Sequence, residues 1–202
     1  DSGTYKIDIS NVSATSGAID TPIAPVFYAT HNADWSLFID GEPASAGLEM
    51  QAEDGSPAGL LGEHTGAAGT GMVGAAGAGP AVTGEGYSFE VTPTAAYPYL
   101  TFSGMVVQTN DAFFAPSAKG IALLHTDGTP RSAMDVEADI ERMLAIWDAG
   151  TEANEVPGVG VNQAPRQAAG NTGPADPIPG VRLYSDAAND LAGENAGGFI
   201  NI

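Results

Sequence analysis

The apolar residues of this chain come in short runs, each closed within a few residues by glycine, proline or an acid-rich turn. Tyr5-Lys6-Ile7-Asp8-Ile9 and Tyr87-Ser88-Phe89-Glu90-Val91 alternate strictly between apolar and polar. That pattern puts the apolar side chains on one face of a strand and the polar ones on the other. Residues 26–30, 35–40, 121–124, 181–184 and 198–202 read as further strands, and residues 99–107 as a strand buried on both faces. With 27 glycines and 14 prolines in 202 residues, turns are frequent enough to separate them. Many short strands between frequent turns predict an all-β fold: an antiparallel β-sandwich with long Gly/Pro-rich loops and at most one or two short helices. One helix is expected over residues 48–52. Another is expected after Ser132, which with Asp135 forms a capping box. It would carry Val136 and Ile140 on one face and feed a strand ending near Trp147.

The length suits a single domain spanning residues 1–202. Residues 58–86 are dominated by Gly, Ala and Thr with few charges, and are expected to form an ordered loop or close-packed insertion. Within them Gly69-Thr70-Gly71-Met72-Val73-Gly74 spells a dinucleotide fingerprint, but no strand precedes it, so no nucleotide site is expected. Residues 155–180 read as a long surface loop.

Charge and composition narrow the function classes. Twenty-five acids stand against six lysines and arginines, for a net charge of −19. Such a surface repels nucleic acid, whose binding needs cationic neutralisation of phosphate. It suits divalent cations or high salt, or serves solubility alone. The absence of cysteine excludes disulfides, zinc–thiolate sites and Fe–S clusters. No apolar run approaches the roughly 20 residues of a membrane span. A chain opening on Asp1 fits a secreted protein after removal of a signal peptide, and Asn11-Val12-Ser13 is formally a glycosylation sequon. His31, His64 and His125 show no zinc spacing. No Gly-x-Ser-x-Gly elbow occurs, and Glu53-Asp54 are adjacent acids of a kind that rarely converge as an acid–base pair, so no enzyme is expected.

Two acidic loops carry the sharpest signal. Asp148-Ala149-Gly150-Thr151-Glu152-Ala153-Asn154 gathers two carboxylates, a hydroxyl and an amide oxygen around one glycine. Thr109-Asn110-Asp111 precedes the apolar Ala112-Phe113-Phe114. Hard cations such as Ca²⁺ take many oxygen ligands, some charged, from backbone that can curl. Neither loop has EF-hand spacing. Asp111, Asp148 and Glu152 are the candidate metal ligands; the plainer reading is a pair of solvated turns. Phe113, Phe114, Trp147 and Trp35 could form an adhesive patch, but are expected in the core.

Seven segments in order along the chain resemble the spondin domain family, the domain of F-spondin and mindin with bacterial secreted relatives. They are Ala29-Thr30-His31-Asn32, Ser36-Leu37-Phe38, Gly41-Glu42-Pro43-Ala44-Ser45, Ala52-Glu53-Asp54-Gly55, Phe102-Ser103-Gly104-Met105, residues 109–115 and residues 148–154. The resemblance implies a C2-like β-sandwich with Ca²⁺ held by acidic loops at one end. The family's calcium aspartates fall on Asp111, Asp148 and Glu152, the last departing from the animal pattern, which has Asp there. The missing cysteines, the insertion at 58–86 and the chain end at Ile202 also depart from the family. The implied function is a secreted, calcium-binding protein with an adhesive or extracellular-matrix role and matrix or cell-surface partners. The alternative is a self-associating filament subunit joined by terminal-strand exchange, with residues 5–9 and 198–202 as candidate donors, since unpaired strand edges invite such addition.

Overall fold

The computed structural model describes residues 3–13 and 21–184. In chain order its elements are β1 (Tyr5–Ser10), β2 (Val26–His31), α1 (Ala46–Asp54), α2 (Ala58–His64), β3 (Thr70–Ala76), β4 (Gly86–Val91), β5 (Tyr99–Met105), β6 (Ala112–Ala115), β7 (Ile121–Ala122), α3 (Ala133–Met143), β8 (Ala145–Asp148) and β9 (Arg182–Leu183). All strand pairs are antiparallel. The fold is all-β and sandwich-like, as the turn-punctuated strands predict. Three short helices accompany it among the described residues, one more than expected.

The alternating segments make the smaller sheet. β1 and β4 pair from Tyr5↔Val91 to Ser10↔Gly86. Tyr5, Ile7, Ile9, Tyr87, Phe89 and Val91 all point inward, into a core shared with Phe102, Phe114 and Ile121. The larger sheet runs β3-β2-β5-β6-β8-β9, with β7 also paired to β5. Its other face is covered by α1 and α2, whose Leu48, Ala52 and Leu60 pack with Phe27, Phe113 and Trp147. Being covered on both sides explains why all of β6, and all of β5 after its first residue, is buried. Phe113, Phe114 and Trp147 are therefore core, with Trp35 packed half-buried against it.

Caps set the helix ends. The Ser45 hydroxyl accepts from Leu48 N–H at 3.1 Å, while the Glu63 carboxylate accepts from Gly47 N–H at 2.6 Å and from the Ser45 hydroxyl at 2.7 Å. α1 stops at Gly55 in the left-handed region, φ +67°. In α3 Ser132 caps the helix as expected, its Oγ accepting from Asp135 N–H at 3.1 Å; the Asp135 carboxylate answers by accepting from the Ser132 hydroxyl at 2.6 Å rather than from its N–H as in a full box.

Two expectations are corrected. Residues 58–86 are ordered, as expected, but carry regular structure in place of a loop: they supply α2, edge strand β3 and the start of β4. The glycines of β3 admit aromatic rings, not flexibility. A Cβ on Gly74 would lie 2.4 Å from the Tyr28 hydroxyl, and the Tyr28 ring stacks on Phe89 at 4.2 Å. The fingerprint glycines thus open a strand with no helix behind it. Residues 35–40 form no strand. They make a bend that seats Phe38 against Phe113 and Trp147, at 5.5 and 4.7 Å between ring centres, and leaves Ile39 exposed. The strand expected over 198–202 lies outside the described residues.

Phe113 is fully buried between the sheet and the helices. Phe113→Ala should cost about 3–5 kcal/mol of stability by removing apolar contact and leaving a cavity. Urea denaturation measures this, and a loss under 1 kcal/mol would contradict the two-sided burial of β6.

Candidate cation site

Pairing of β6 with β8 brings the two acidic loops together. Ala112 stands opposite Asp148, and Ala149 N–H donates to Asp111 O at 3.1 Å. Asp111 therefore enters β6 beside the point where Asp148 leaves β8, and both side chains are fully buried. Glu152, four residues past the strand end, is also buried. The sequence-predicted residues share one end of the sandwich, although Asp111 and Asp148 are 37 positions apart in the chain.

Their roles differ. Asp111 Oδ2 accepts from Thr151 N–H at 2.8 Å, Glu152 N–H at 3.1 Å and the Thr151 hydroxyl at 3.2 Å. One carboxylate oxygen thus folds the 150–152 turn around itself. Asp148 Oδ1 accepts from Gly150 N–H at 2.7 Å and pairs with Arg182 at 3.1 Å, while Oδ2 accepts from the Asn154 amide at 2.6 Å. Arg182 also reaches Asp176 Oδ2 at 2.6 Å. Asp148 is committed to holding the loop and the β9 strand.

At this end of the described residues, Asp111 Oδ1 and both carboxylate oxygens of Glu152 are buried without a well-formed hydrogen bond, although the Asn110 amide lies near enough to Glu152 to favour its ionised form. An unsatisfied buried acceptor is costly, so such atoms ask for a donor, a proton or a cation. Gly173 makes room for this carboxylate; a Cβ there would fall 1.2 Å from Glu152 Oε1. The 174–176 segment then lies along the loop, with Ala153 N–H donating to Pro174 O at 2.7 Å and Asp176 N–H to Thr151 O at 3.2 Å. The surface loop expected over 155–180 is pinned inward by such bonds and by Glu155, whose carboxylate accepts from Asn162 N–H at 2.8 Å.

Two contributors escaped the sequence reading. Glu53, on the last turn of α1, is buried and acts electrostatically on Glu152. Its sequence spacing does not mark this role: it lies five residues from the buried Leu48 and one from Ala52, off the i, i+3, i+4 face they would define. Arg182 provides the positive charge beneath Asp148, and nothing near it in sequence marks that role.

Burial raises the pKa of Asp111, reinforced by Asp148. Burial also raises that of Asp148, against the opposing pull of Asn154 and Arg182. Glu53 is raised by burial too. Glu152 is pushed up to about 7, by burial first and then by Glu53. These oxygens fit a hard cation, whose charge would satisfy them and favour their ionised forms. The fit is partial: among the described residues no three acidic or histidine side chains converge as a ready-made metal cluster. Main-chain, amide or hydroxyl oxygens would have to complete a ligand set.

Removing the arginine should expose this dependence on charge. Arg182→Ala leaves Asp148 and Asp176 without their cation and should cost about 3–5 kcal/mol; a thermal melt checks it. Glu152 acts in the opposite direction. Its folded pKa stands above the ordinary 4.5, so its contribution is fully present below pH 4.5 and is lost as pH rises to about 7. In EDTA, Glu152→Gln should flatten the fall in stability across that window; an unchanged slope would mean that Glu152 does not titrate there. No protein-family model matches this chain, and no curated protein matches it.

Proposed function

We propose that this protein is a secreted calcium-binding β-sandwich with an adhesive or extracellular-matrix role. The observation that carries the reading is the set of buried oxygens without a well-formed hydrogen bond on Asp111 and Glu152 at one end of the sandwich. Glu53 adds a third buried carboxylate nearby, and Asp148 with Arg182 fixes the turn that presents Glu152. A Ca²⁺ ion would supply charge neutralisation and cross-link the β6 entry, the 148–154 loop and the end of α1. Its chemistry here is structural: it would hold loops together, and no reaction is assigned to it.

The adhesive part of the reading draws support from the neighbouring loop. Val156, Val159 and Val161 are 58%, 67% and 68% exposed, on backbone fixed by Glu155 and by Gly158 N–H donating to Gln108 O at 2.9 Å. Three apolar side chains presented on a pinned turn beside the acidic cluster make a small contact surface for a matrix or cell-surface partner. The aromatic residues considered for that part are in or against the core. No helix of the described residues is long and apolar enough to cross a membrane.

Calcium titration followed by calorimetry and melting tests the proposal. Extracellular calcium modules have Kd of about 10⁻⁴–10⁻³ M, and ligand at 100 times Kd stabilises a fold by about 2.7 kcal/mol. EDTA should lower Tm, and Glu152→Gln should weaken calcium binding at least tenfold while Glu42→Gln, an exposed turn substitution, leaves it unchanged. Identical melts with and without calcium would overturn the calcium reading.

A further inference from the structure

β1 is open on the side away from β4. The smaller sheet holds only these two strands among the described residues, and Asn11 N–H donates to Glu85 O at 2.8 Å. Strand alternation then turns the N–H and C=O groups of Lys6, Asp8 and Ser10 away from β4, toward the open edge. Across that edge lies one face of α3, made by Ala133, Val136, Glu137, Ile140 and Glu141, which follow helical spacing. Between β1 and α3 runs a groove of about 260 Å³, with Phe102 in its lining. Unpaired ladder groups above an apolar floor are what an added strand requires: main-chain bonds hold it, and alternate side chains fill the groove.

We propose that this edge is an acceptor for a third strand, and that the strand is residues 198–202 of the same chain. Tyr184 is buried in the same core as Tyr5, Ile7, Val136 and Ile140, so the chain leaves the larger sheet beside the core that the groove overlies. Eighteen residues of the sequence follow Tyr184. Of these, Asp186, Asp190 and Glu194 would meet a rim that already carries Asp8, Glu137 and Glu141. Gly198-Phe199-Ile200-Asn201-Ile202 has no charged side chain and offers apolar residues on both faces. The thirteen residues from 185 to 197 can span about 40 Å when extended, ample for the link. A three-stranded sheet would also relieve the marginal stability of a two-stranded ribbon.

Amide exchange on the full chain tests this. The amides of Lys6, Asp8 and Ser10 should exchange at least tenfold more slowly in the wild type than in Ile200→Asp, with both proteins monomeric. Equal exchange in the two would overturn the proposal. Because the chain has no native cysteine, a second measurement is available. Asp8→Cys, combined in turn with a cysteine at each of positions 199 to 202, should give a disulfide within one chain in at least one pair. Disulfides that form only between chains would show strand exchange with a second copy and overturn the assignment to the same chain. Failure of every pair to close would also count against it.

Discussion

Burial of carboxylates at the junction of β6 and β8 is the constraint on which this end of the molecule depends. Asp111 and Asp148 sit fully buried beside each other's strand ends, where ionised groups are costly unless hydrogen-bonded or paired. The local chain answers that cost. The amides of Gly150, Thr151 and Glu152 turn inward to donate to the two side chains, Asn154 adds its amide, and Arg182 brings a guanidinium from β9. The shape of the 148–154 loop and the docking of β9 follow from supplying donors to these two side chains, and the 174–176 segment then bonds to that loop's main chain and to Arg182.

That arrangement leaves a remainder, on which the proposed calcium site rests. Asp111 Oδ2 and both oxygens of Asp148 are satisfied within the chain, whereas Asp111 Oδ1 and the Glu152 carboxylate are not. The fold therefore separates carboxylate oxygens bonded within the loop from buried ones that lack a well-formed hydrogen bond. Of the three residues suggested by sequence, Asp148 belongs mainly to the first group and Glu152 to the second. Asp111 belongs to both.

The two sheets differ in the same way in how they are finished. The larger sheet is covered on one face by the β1–β4 ribbon and on the other by α1 and α2, so its central strands need no polar face. The ribbon has one buried face and an open edge. On the proposal above, covering that edge with the chain's own residues 198–202 would widen a layer that is two strands wide among the described residues, and would remove an unpaired strand from the reach of other molecules.

The sequence by itself determined the elements whose signal is local. Strict alternation placed β1 and β4, because a half-buried strand has a period of two residues. Ser132 and Asp135 placed the start of α3, because capping chemistry acts over three residues. The oxygen-rich loops were legible as a cluster of acids. Only the tertiary structure decided the rest, since each remaining feature depends on partners far along the chain. β3 is a strand because it pairs with β2, where Gly74 leaves room for Tyr28, residues 35–40 form a bend that seats Phe38 against Phe113 and Trp147, and Arg182 matters because β9 lies against β8. Which carboxylate oxygens remain unsatisfied is likewise decided by the donors that folding brings near, and composition carries no record of those distances.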